Sequence, residues 1–209
     1  MRVVTVIGDL VASKAMPKRA VFQRRLTKVL EQTSAAASAL ASPYTITLGD
    51  EFQAVYRTAD SLFVDIVKIM ADIHPVRARF AIGVGDLTTR INAERALGMD
   101  GPAFHQAREA LTALKAEGRL WRIAGDDPKA WVLSKHVLNL LSHHVGGWTR
   151  NRLLVLAGLL NDQAVKDVED SLEISRVAIY KNIRAAALDE VVGICQELTA
   201  ALNRTLRAA

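Results

Sequence analysis

The amino-acid sequence predicts an α+β fold, in which a sheet domain with the element order β-α-β-β-α-β precedes a small all-α domain. Three observations support this prediction. Stretches that alternate apolar and polar residues are typical of strands, and the apolar residues between them recur at helical spacing. After Gly146-Gly147 only helical spacing remains. We therefore predict a first domain of residues 1–145 and a second domain of residues 146–209.

Strand and helix patterns alternate through the first domain. The strand patterns cover residues 2–8, 44–48, 52–56, 77–84 and 120–124. The helical patterns cover about residues 17–40, 60–74, 101–117 and 128–144. Thr58 or Asp60 is expected to cap the second helix. Gly49-Asp50 is a tight-turn signal, so the second and third strands are expected to form a β-hairpin.

This element order is that of a ferredoxin-like sheet, in which the first strand lies between the third and the fourth. Right-handed connections make the first and second strands parallel. Asp9, which closes the first strand, and Asp50, at the tip of the hairpin, should then lie at the same end of the sheet. We predict that they lie close together.

Two carboxylates held close to each other repel, and a hard cation such as Mg²⁺ relieves the repulsion. Asp9 and Asp50 are therefore the predicted metal ligands. The alternative is that both acids cap turns and bind no metal. Placement of the two acids at opposite ends of the sheet, or their pairing with Lys or Arg with no room left for an ion, would contradict the predicted metal-dependent binding of a nucleotide.

Composition favours a soluble protein of the cytoplasm and no membrane association. The chain has 209 residues and one cysteine, Cys195, which excludes an internal disulfide bond and fits a reducing compartment. The sequence after Met1 is a strand pattern and not a secretory signal. Its apolar runs are shorter than the ~18 residues of a membrane span.

The net charge of +5 is unevenly distributed along the chain. From residue 146 onward, eight basic residues balance eight acidic residues, so the excess lies in the first domain. A basic first helix beside acidic strand ends suits a small molecule that carries phosphate. Lys14, Arg19, Gly49 and Glu51 are the predicted nucleotide contacts. The alternative is a solvated basic helix face.

Three stretches of the first domain resemble the catalytic domains of nucleotide cyclases. Val6-Ile-Gly-Asp-Leu-Val11 resembles the first metal motif of class III cyclases, and Leu48-Gly-Asp-Glu-Phe52 resembles their second metal motif and the GGDEF signature of diguanylate cyclases. The resemblance implies a palm domain that holds Mg²⁺ and a nucleoside triphosphate.

The third stretch, residues 101–109, resembles the cyclase helix that carries an Asn and a transition-state Arg. Here His105 stands at the Asn position and Glu109 at the Arg position. Because Glu109 cannot stabilise negative charge on phosphate, the resemblance implies a degenerate site. Catalysis would need help from Glu51 or His105.

Over its full length the sequence resembles the SatD family, which pairs a cyclase-like palm domain with a C-terminal helix-turn-helix. The matching features are Gly8-Asp-Leu-Val11 with Ser13-Lys14, Leu48 to Gln53, Gly101 to Phe104 with Ala107 to Glu109, and the closing helices.

The second domain shows helical patterns at residues 150–160, from Asp162 onward, at 176–186 and at 188–206. The spacing of Leu172, Ile174 and Ile179 resembles that of a helix-turn-helix. The predicted DNA contacts are Ser175, Arg176, Tyr180, Lys181 and Arg184, with Ser175 as the cap of the recognition helix. Glu169 and Glu173 depart from the usual small residue and Gly, and the alternative is a three-helix module used for packing or dimerisation.

These observations favour a nucleotide-sensing regulatory protein that couples a palm domain to a module that binds DNA or a partner. One alternative is an active nucleotidyl transferase or cyclase. Another is a protein-interaction adaptor without a ligand. An apolar stripe on the last helix is a candidate seam for a homodimer or a part of the core. It comprises Leu188, Val191, Val192, Cys195, Leu198, Ala201 and Leu202.

Overall fold

The computed structural model describes residues 1–12 and 19–208, so the predicted nucleotide contact Lys14 lies outside the described residues. The strands are β1 Arg2–Leu10, β2 Leu40–Leu48, β3 Glu51–Tyr56, β4 Ala78–Asp86 and β5 Trp121–Gly125. The α-helices are α1 Arg19–Ala36, α2 Leu62–Ile73, α3 Pro102–Glu117, α4 Val132–Val145, α5 Arg150–Leu160, α6 Val165–Leu172, α7 Arg176–Ala186 and α8 Leu188–Arg207. A short 3₁₀ helix, Pro128–Trp131, precedes α4.

The five strands form one mixed sheet in the order β2-β3-β1-β4-β5. β1 lies between β3 and β4 and is antiparallel to both, and β2 is antiparallel to β3. β1 and β2 therefore run in the same direction, as predicted. β5 is parallel to β4 and extends the sheet by one strand. The α+β class and the predicted strand order are confirmed.

The hairpin between β2 and β3 turns at Gly49-Asp50, as predicted. Gly49 has φ +52°, a conformation that glycine adopts without strain. Gln23 of α1 donates a side-chain hydrogen bond to the carbonyl oxygen of Gly49 at 3.1 Å. The tip of the hairpin is therefore attached to the first helix. β2 begins four residues earlier than the predicted residue 44, at Leu40.

One face of the sheet carries the main hydrophobic core. Successive side chains of a strand point to opposite faces. Val4 and Val6 of β1 belong to a core cluster that also contains Ile66 and Ile69 of α2 and residues of α5 and α8. α5 packs against α2. The core is therefore continuous from the sheet into the C-terminal helices, and the separation of domains at residue 145 stays a prediction.

The opposite face of the sheet is covered by α3, which packs on β4, β1 and β5. Ile7 and Ala81 of this face contact Ala107 and Leu111 of the helix in a second core cluster. A Cβ atom at Gly83 would overlap the backbone of Ala103 and Ala107. α3 therefore lies directly on the backbone of β4. This close contact determines which residues of the sheet the polar side chains of α3 can contact.

The caps of the C-terminal helices agree in part with the sequence. Thr149 accepts a hydrogen bond from the backbone N–H of Arg152 and caps α5, and Ser175 accepts one from that of Ala178, so the predicted cap at Ser175 is confirmed. The predicted helix start at Asp162 is wrong. Asp162 has φ +52° and lies in the turn after α5, and α6 begins only at Val165.

The predicted cap of α2 is also wrong. Ser61 is the residue at the cap position, and its side chain makes no capping hydrogen bond. Asp60 instead accepts hydrogen bonds from Thr58 at 2.7 Å and from Asn203 of α8 at 2.7 Å. Because the Asp60 carboxylate binds Asn203 of α8, it is not available to accept a hydrogen bond from the first turn of α2.

Most of the apolar stripe on α8 is buried within the chain. The buried residues are Leu188, Val191, Cys195, Leu198 and Leu202. Burial raises the pKa of the Cys195 thiol to about 12. A homodimer through α8 stays a prediction, and it would have to use residues outside the buried part of this stripe. No helix in the described part of the chain has the length and apolar character needed to cross a membrane.

Replacing Gly83 with Ala should destabilise the protein by about 3 kcal/mol, because the new methyl group forces α3 away from β4. Gly193→Ala is the matched control. Gly193 lies inside α8, and its added methyl group meets no atom of the described residues within 4 Å. The control should be neutral or stabilise by up to about 1 kcal/mol. Urea unfolding measures both, and equal effects would contradict the close packing.

Candidate functional site

Two carboxylates lie side by side where β1 ends and β3 begins. Asp9 and Glu51 are register partners in the antiparallel pair, so their side chains lie on the same face of the sheet. Their relative exposures are only 4% and 9%. This is the face that α3 covers. The convergence of the first strand and the hairpin tip at one end of the sheet is confirmed.

An ammonium group from α3 lies between these carboxylates. The Nζ atom of Lys115 is 2.8 Å from Oδ1 of Asp9 and 3.1 Å from Oε1 of Glu51. Lys115 is in the last turn of α3. One side chain thus connects β1, β3 and α3 at the end of the sheet.

Two arginines bind the remaining carboxylate oxygens. Arg79, the register partner of Asp9 on β4, donates from Nη1 to Oδ2 of Asp9 at 2.8 Å. Arg108 of α3 donates from Nη1 to Oε2 of Glu51 at 2.7 Å. All four carboxylate oxygens therefore accept from a cationic group. We call these five residues, Asp9, Glu51, Arg79, Arg108 and Lys115, the carboxylate cluster.

The pKa values in the carboxylate cluster follow from this pairing. Burial acts to raise the pKa of Glu51, but the hydrogen bonds from Arg108 and Lys115 outweigh it, so the pKa lies below its ordinary value. Burial acts to lower the pKa of Lys115, but its hydrogen bonds to Asp9 and Glu51 outweigh burial and raise the pKa. Both groups are therefore held in their charged forms.

Asp50, the second predicted metal ligand, lies in the hairpin turn one residue before Glu51. Its carbonyl oxygen accepts a hydrogen bond from the backbone N–H of Leu10 at 3.1 Å. The backbone of Asp50 is thus close to the end of β1, as the predicted convergence requires. The acid that faces Asp9 across the ladder is Glu51, and the metal role of Asp50 stays a prediction.

The donor set of the carboxylate cluster does not fit a divalent cation in this arrangement. Three cationic groups already neutralise the two carboxylates, and Mg²⁺ prefers oxygen ligands without competing positive charge. Within residues 1–12 and 19–208, no group of three or more His, Cys, Asp or Glu could hold a metal ion. The Mg²⁺ prediction therefore stays a prediction, and the pairing of Asp9 with Lys115 and Arg79 argues against it.

The two candidate catalytic residues lie apart from each other. Glu51 is part of the carboxylate cluster, whereas His105 is exposed in the first turn of α3, and its Nε2 lies 3.0 Å from Oδ1 of Asp100. His105 and Lys115 are separated by about 15 Å along the helix axis. The structure therefore does not bring His105 to the carboxylates.

The predicted nucleotide contacts Arg19 and Gly49 lie together. A Cβ atom at Gly49 would be 3.0 Å from Nη2 of Arg19, which begins α1 and is exposed. The guanidinium group is thus adjacent to the hairpin tip. Glu51 of the predicted set is engaged by Arg108 and Lys115.

Sequence reasoning did not find Arg79 or Lys115. Neither lies in a recognised motif. Arg79 could have been found from the pairing of β1 with β4, which places it opposite Asp9. Lys115 is 64 positions from Glu51, and no local pattern indicates their contact.

The segment from α6 to α7 forms two helices joined by a short turn. Glu173 has φ +52°, so it adopts the left-handed conformation for which Gly is usual. Glu169 accepts hydrogen bonds from the backbone N–H of Arg176 at 2.9 Å and from its Nε at 3.2 Å. Ile179 and Ile183 are buried, while Tyr180, Lys181 and Arg184 of the predicted DNA contacts are exposed.

A comparison with protein families gives one match that spans most of the chain. The model of the SatD family matches residues 3–191. This chain belongs to the SatD family. A comparison with curated proteins gives no match to this SatD-family chain.

Two solved structures similar to this SatD-family chain are both described as a bacterial light-regulated adenylyl cyclase. The first match has 13% identity and a TM-score of 0.45, and it covers 59% of this chain and 43% of the cyclase chain. The second has 14% identity and a TM-score of 0.45, and it covers 58% of this chain and 74% of the cyclase chain. The SatD-family chain thus spans less than half of the first cyclase chain.

Glu51→Gln in this SatD-family protein should cost stability at neutral pH and progressively less in acid. Because the folded pKa of Glu51 is lowered, its contribution is present above its unfolded pKa of about 4.3 and is lost as the pH falls through the folded pKa. Urea unfolding of both proteins, from neutral pH to well below the unfolded pKa of about 4.3, measures the difference.

Glu109→Gln, on the exposed surface of α3, is the control for this pH series. Its difference from the wild type should stay small at every pH. A destabilisation by Glu51→Gln that is the same at all pH values would contradict the proposed ion pairs.

Proposed function

We propose that this SatD-family protein is a regulatory protein that binds double-stranded DNA through α7 and senses a nucleotide near the hairpin tip, without turnover. The observation that carries the proposal is the outer face of α7. Val177, Tyr180, Lys181 and Arg184 follow helical spacing and are all exposed. A continuous exposed face with two cations, a tyrosine and an aliphatic residue suits contact with phosphates and base edges.

The dimensions of α7 agree with this role. Its 11 residues span about 16 Å, and the major groove of DNA admits an α-helix. Val177 is 79% exposed, so its methyl groups are accessible for apolar contact with a thymine methyl group in the groove. The buried Ile179 and Ile183 attach the opposite side of the helix to the core.

In this proposal Glu169 stabilises the turn before α7, and its negative charge does not repel DNA directly. Its carboxylate binds the first backbone N–H of α7 and the guanidinium group of Arg176. An acid at a helix N-terminus is favourable. Arg176 is thereby neutralised, so we expect Lys181 and Arg184 to contribute more to DNA affinity than Arg176.

Lys181→Ala or Arg184→Ala should weaken binding to a mixed-sequence duplex and lower the slope of log affinity against log salt by about 1 each. Fluorescence anisotropy at several salt concentrations measures both quantities. Lys135→Ala, an exposed lysine on α4, is the matched control and should leave the slope unchanged.

Two results would contradict DNA binding by α7. One is an absence of measurable affinity in the wild type at low salt. The other is an equal loss of affinity in the α7 variants and in Lys135→Ala. The first result together with binding to a protein partner would favour the adaptor alternative.

The nucleotide arm of the proposal is supported by the position of Arg19 beside Gly49. Arg19 is exposed, and its Nη2 atom would be 3.0 Å from a Cβ atom at Gly49, so the glycine allows the guanidinium group to lie against the turn. Lys14 stays a predicted contact. Because the carboxylate cluster carries three cations for two acids, the phosphates of a nucleotide need no bound metal to be attracted to this end of the sheet.

Calorimetric titration with nucleoside triphosphates should give heat in the presence of a chelator, and Arg19→Ala should weaken binding by about tenfold, the loss of one charge-assisted contact. Arg24→Ala, another exposed arginine on α1, is the control and should bind like the wild type. No heat with any triphosphate, or equal weakening in both variants, would contradict the proposed contact.

The rival function is turnover of a nucleoside triphosphate by two-metal chemistry. That chemistry needs carboxylates that are available to metal ions and a cation at the position of Glu109, and the ion pairs of Asp9 argue against it. Incubation with labelled triphosphates followed by product separation distinguishes the two. Product formation that Asp9→Asn abolishes would favour the rival.

A further inference from the structure

We propose that Lys115 is a built-in replacement for a divalent cation, and that its ammonium group occupies the position between Asp9 and Glu51 that a metal ion would otherwise take. The carboxylate cluster then needs no metal to keep its two acids together, and the wild-type site binds none. The inference does not depend on DNA binding by α7.

The contacts of Lys115 are those expected of a bridging cation. Its Nζ atom contacts one oxygen of each carboxylate, at 2.8 Å from Asp9 and 3.1 Å from Glu51. The second oxygen of each carboxylate is bound by an arginine. A divalent ion that used the two inner oxygens as ligands, at about 2.0–2.6 Å, would overlap the ammonium group. Lys115 and a metal ion therefore exclude each other.

The fold holds Lys115 in this position in two ways. Lys115 lies in the last turn of α3, where the helix dipole favours a positive charge. The contact of Gly83 with the backbone of α3 fixes the distance between the helix and the sheet. A tethered ammonium group therefore competes with dissolved ions at a high effective concentration.

The charges of the carboxylate cluster favour the same conclusion. The two carboxylates carry two negative charges, and the three cationic side chains carry three positive charges. A divalent ion added to this set would meet a net positive charge. If Lys115 is removed, the two inner oxygens become available and the remaining charges cancel, which makes the site acceptable to a divalent ion.

The test is to create a metal site by removing the ammonium group. We expect Lys115→Ala and Lys115→Gln to gain saturable binding of Mn²⁺, detected as loss of the free-ion signal in electron paramagnetic resonance. Their melting temperatures should rise by about 2–4 °C in millimolar MnCl₂, relative to NaCl of matched ionic strength. The wild type should show neither effect.

Two further variants make this test specific. Lys166→Ala removes an exposed lysine of α6 and should behave like the wild type. Asp9→Asn combined with Lys115→Ala should lose the acquired Mn²⁺ binding, because the ligand oxygen becomes a neutral amide. Lys115→Gln keeps most of the side-chain volume, so the test remains available if Lys115→Ala does not fold.

Either of two outcomes would overturn the proposal. The first is Mn²⁺ binding by the wild type that Asp9→Asn abolishes. The second is a folded Lys115→Ala or Lys115→Gln variant that binds no more Mn²⁺ than Lys166→Ala. Neither outcome changes the binding of labelled DNA measured by fluorescence anisotropy. Failure of the inference about Lys115 is therefore distinguishable from failure of the proposed function.

Discussion

The ammonium group of Lys115, held between Asp9 and Glu51, is the interaction on which the end of the sheet depends. It links β1, β3 and α3 through three side chains that are remote in the sequence. Without it, the inner oxygens of two poorly exposed carboxylates would face each other across an antiparallel pair, with only Arg79 and Arg108 to offset their repulsion. The same contact therefore connects α3 to the sheet and occupies the space between the two carboxylates.

The position of this contact depends on which helices cover the two faces of the sheet. One face packs against α2 and, through α2, against the C-terminal helices, so it forms the continuous core. The other face is covered by α3, whose close approach at Gly83 brings its last turn over the ends of β1 and β3. The helix that covers the two carboxylates thus also supplies two of their three counter-charges, through Arg108 and Lys115, and β4 supplies the third through Arg79.

The sequence was sufficient to predict the order of strands, the Gly49-Asp50 turn and most helices, because these depend on local periodicity and turn chemistry. It was not sufficient to identify the acid that faces Asp9. A shift of one residue in register exchanges the faces of a strand, so Glu51 faces Asp9 and Asp50 lies in the turn. Lys115 was missed because a contact across 64 positions leaves no local pattern.

The most direct test of this account is a crystal structure of the wild-type protein soaked in MnCl₂, with anomalous diffraction measured for manganese. The account predicts continuous density for the Lys115 side chain between Asp9 and Glu51, and no anomalous peak at that position. An anomalous peak within about 2.5 Å of a carboxylate oxygen of Asp9, with Lys115 displaced, would contradict it.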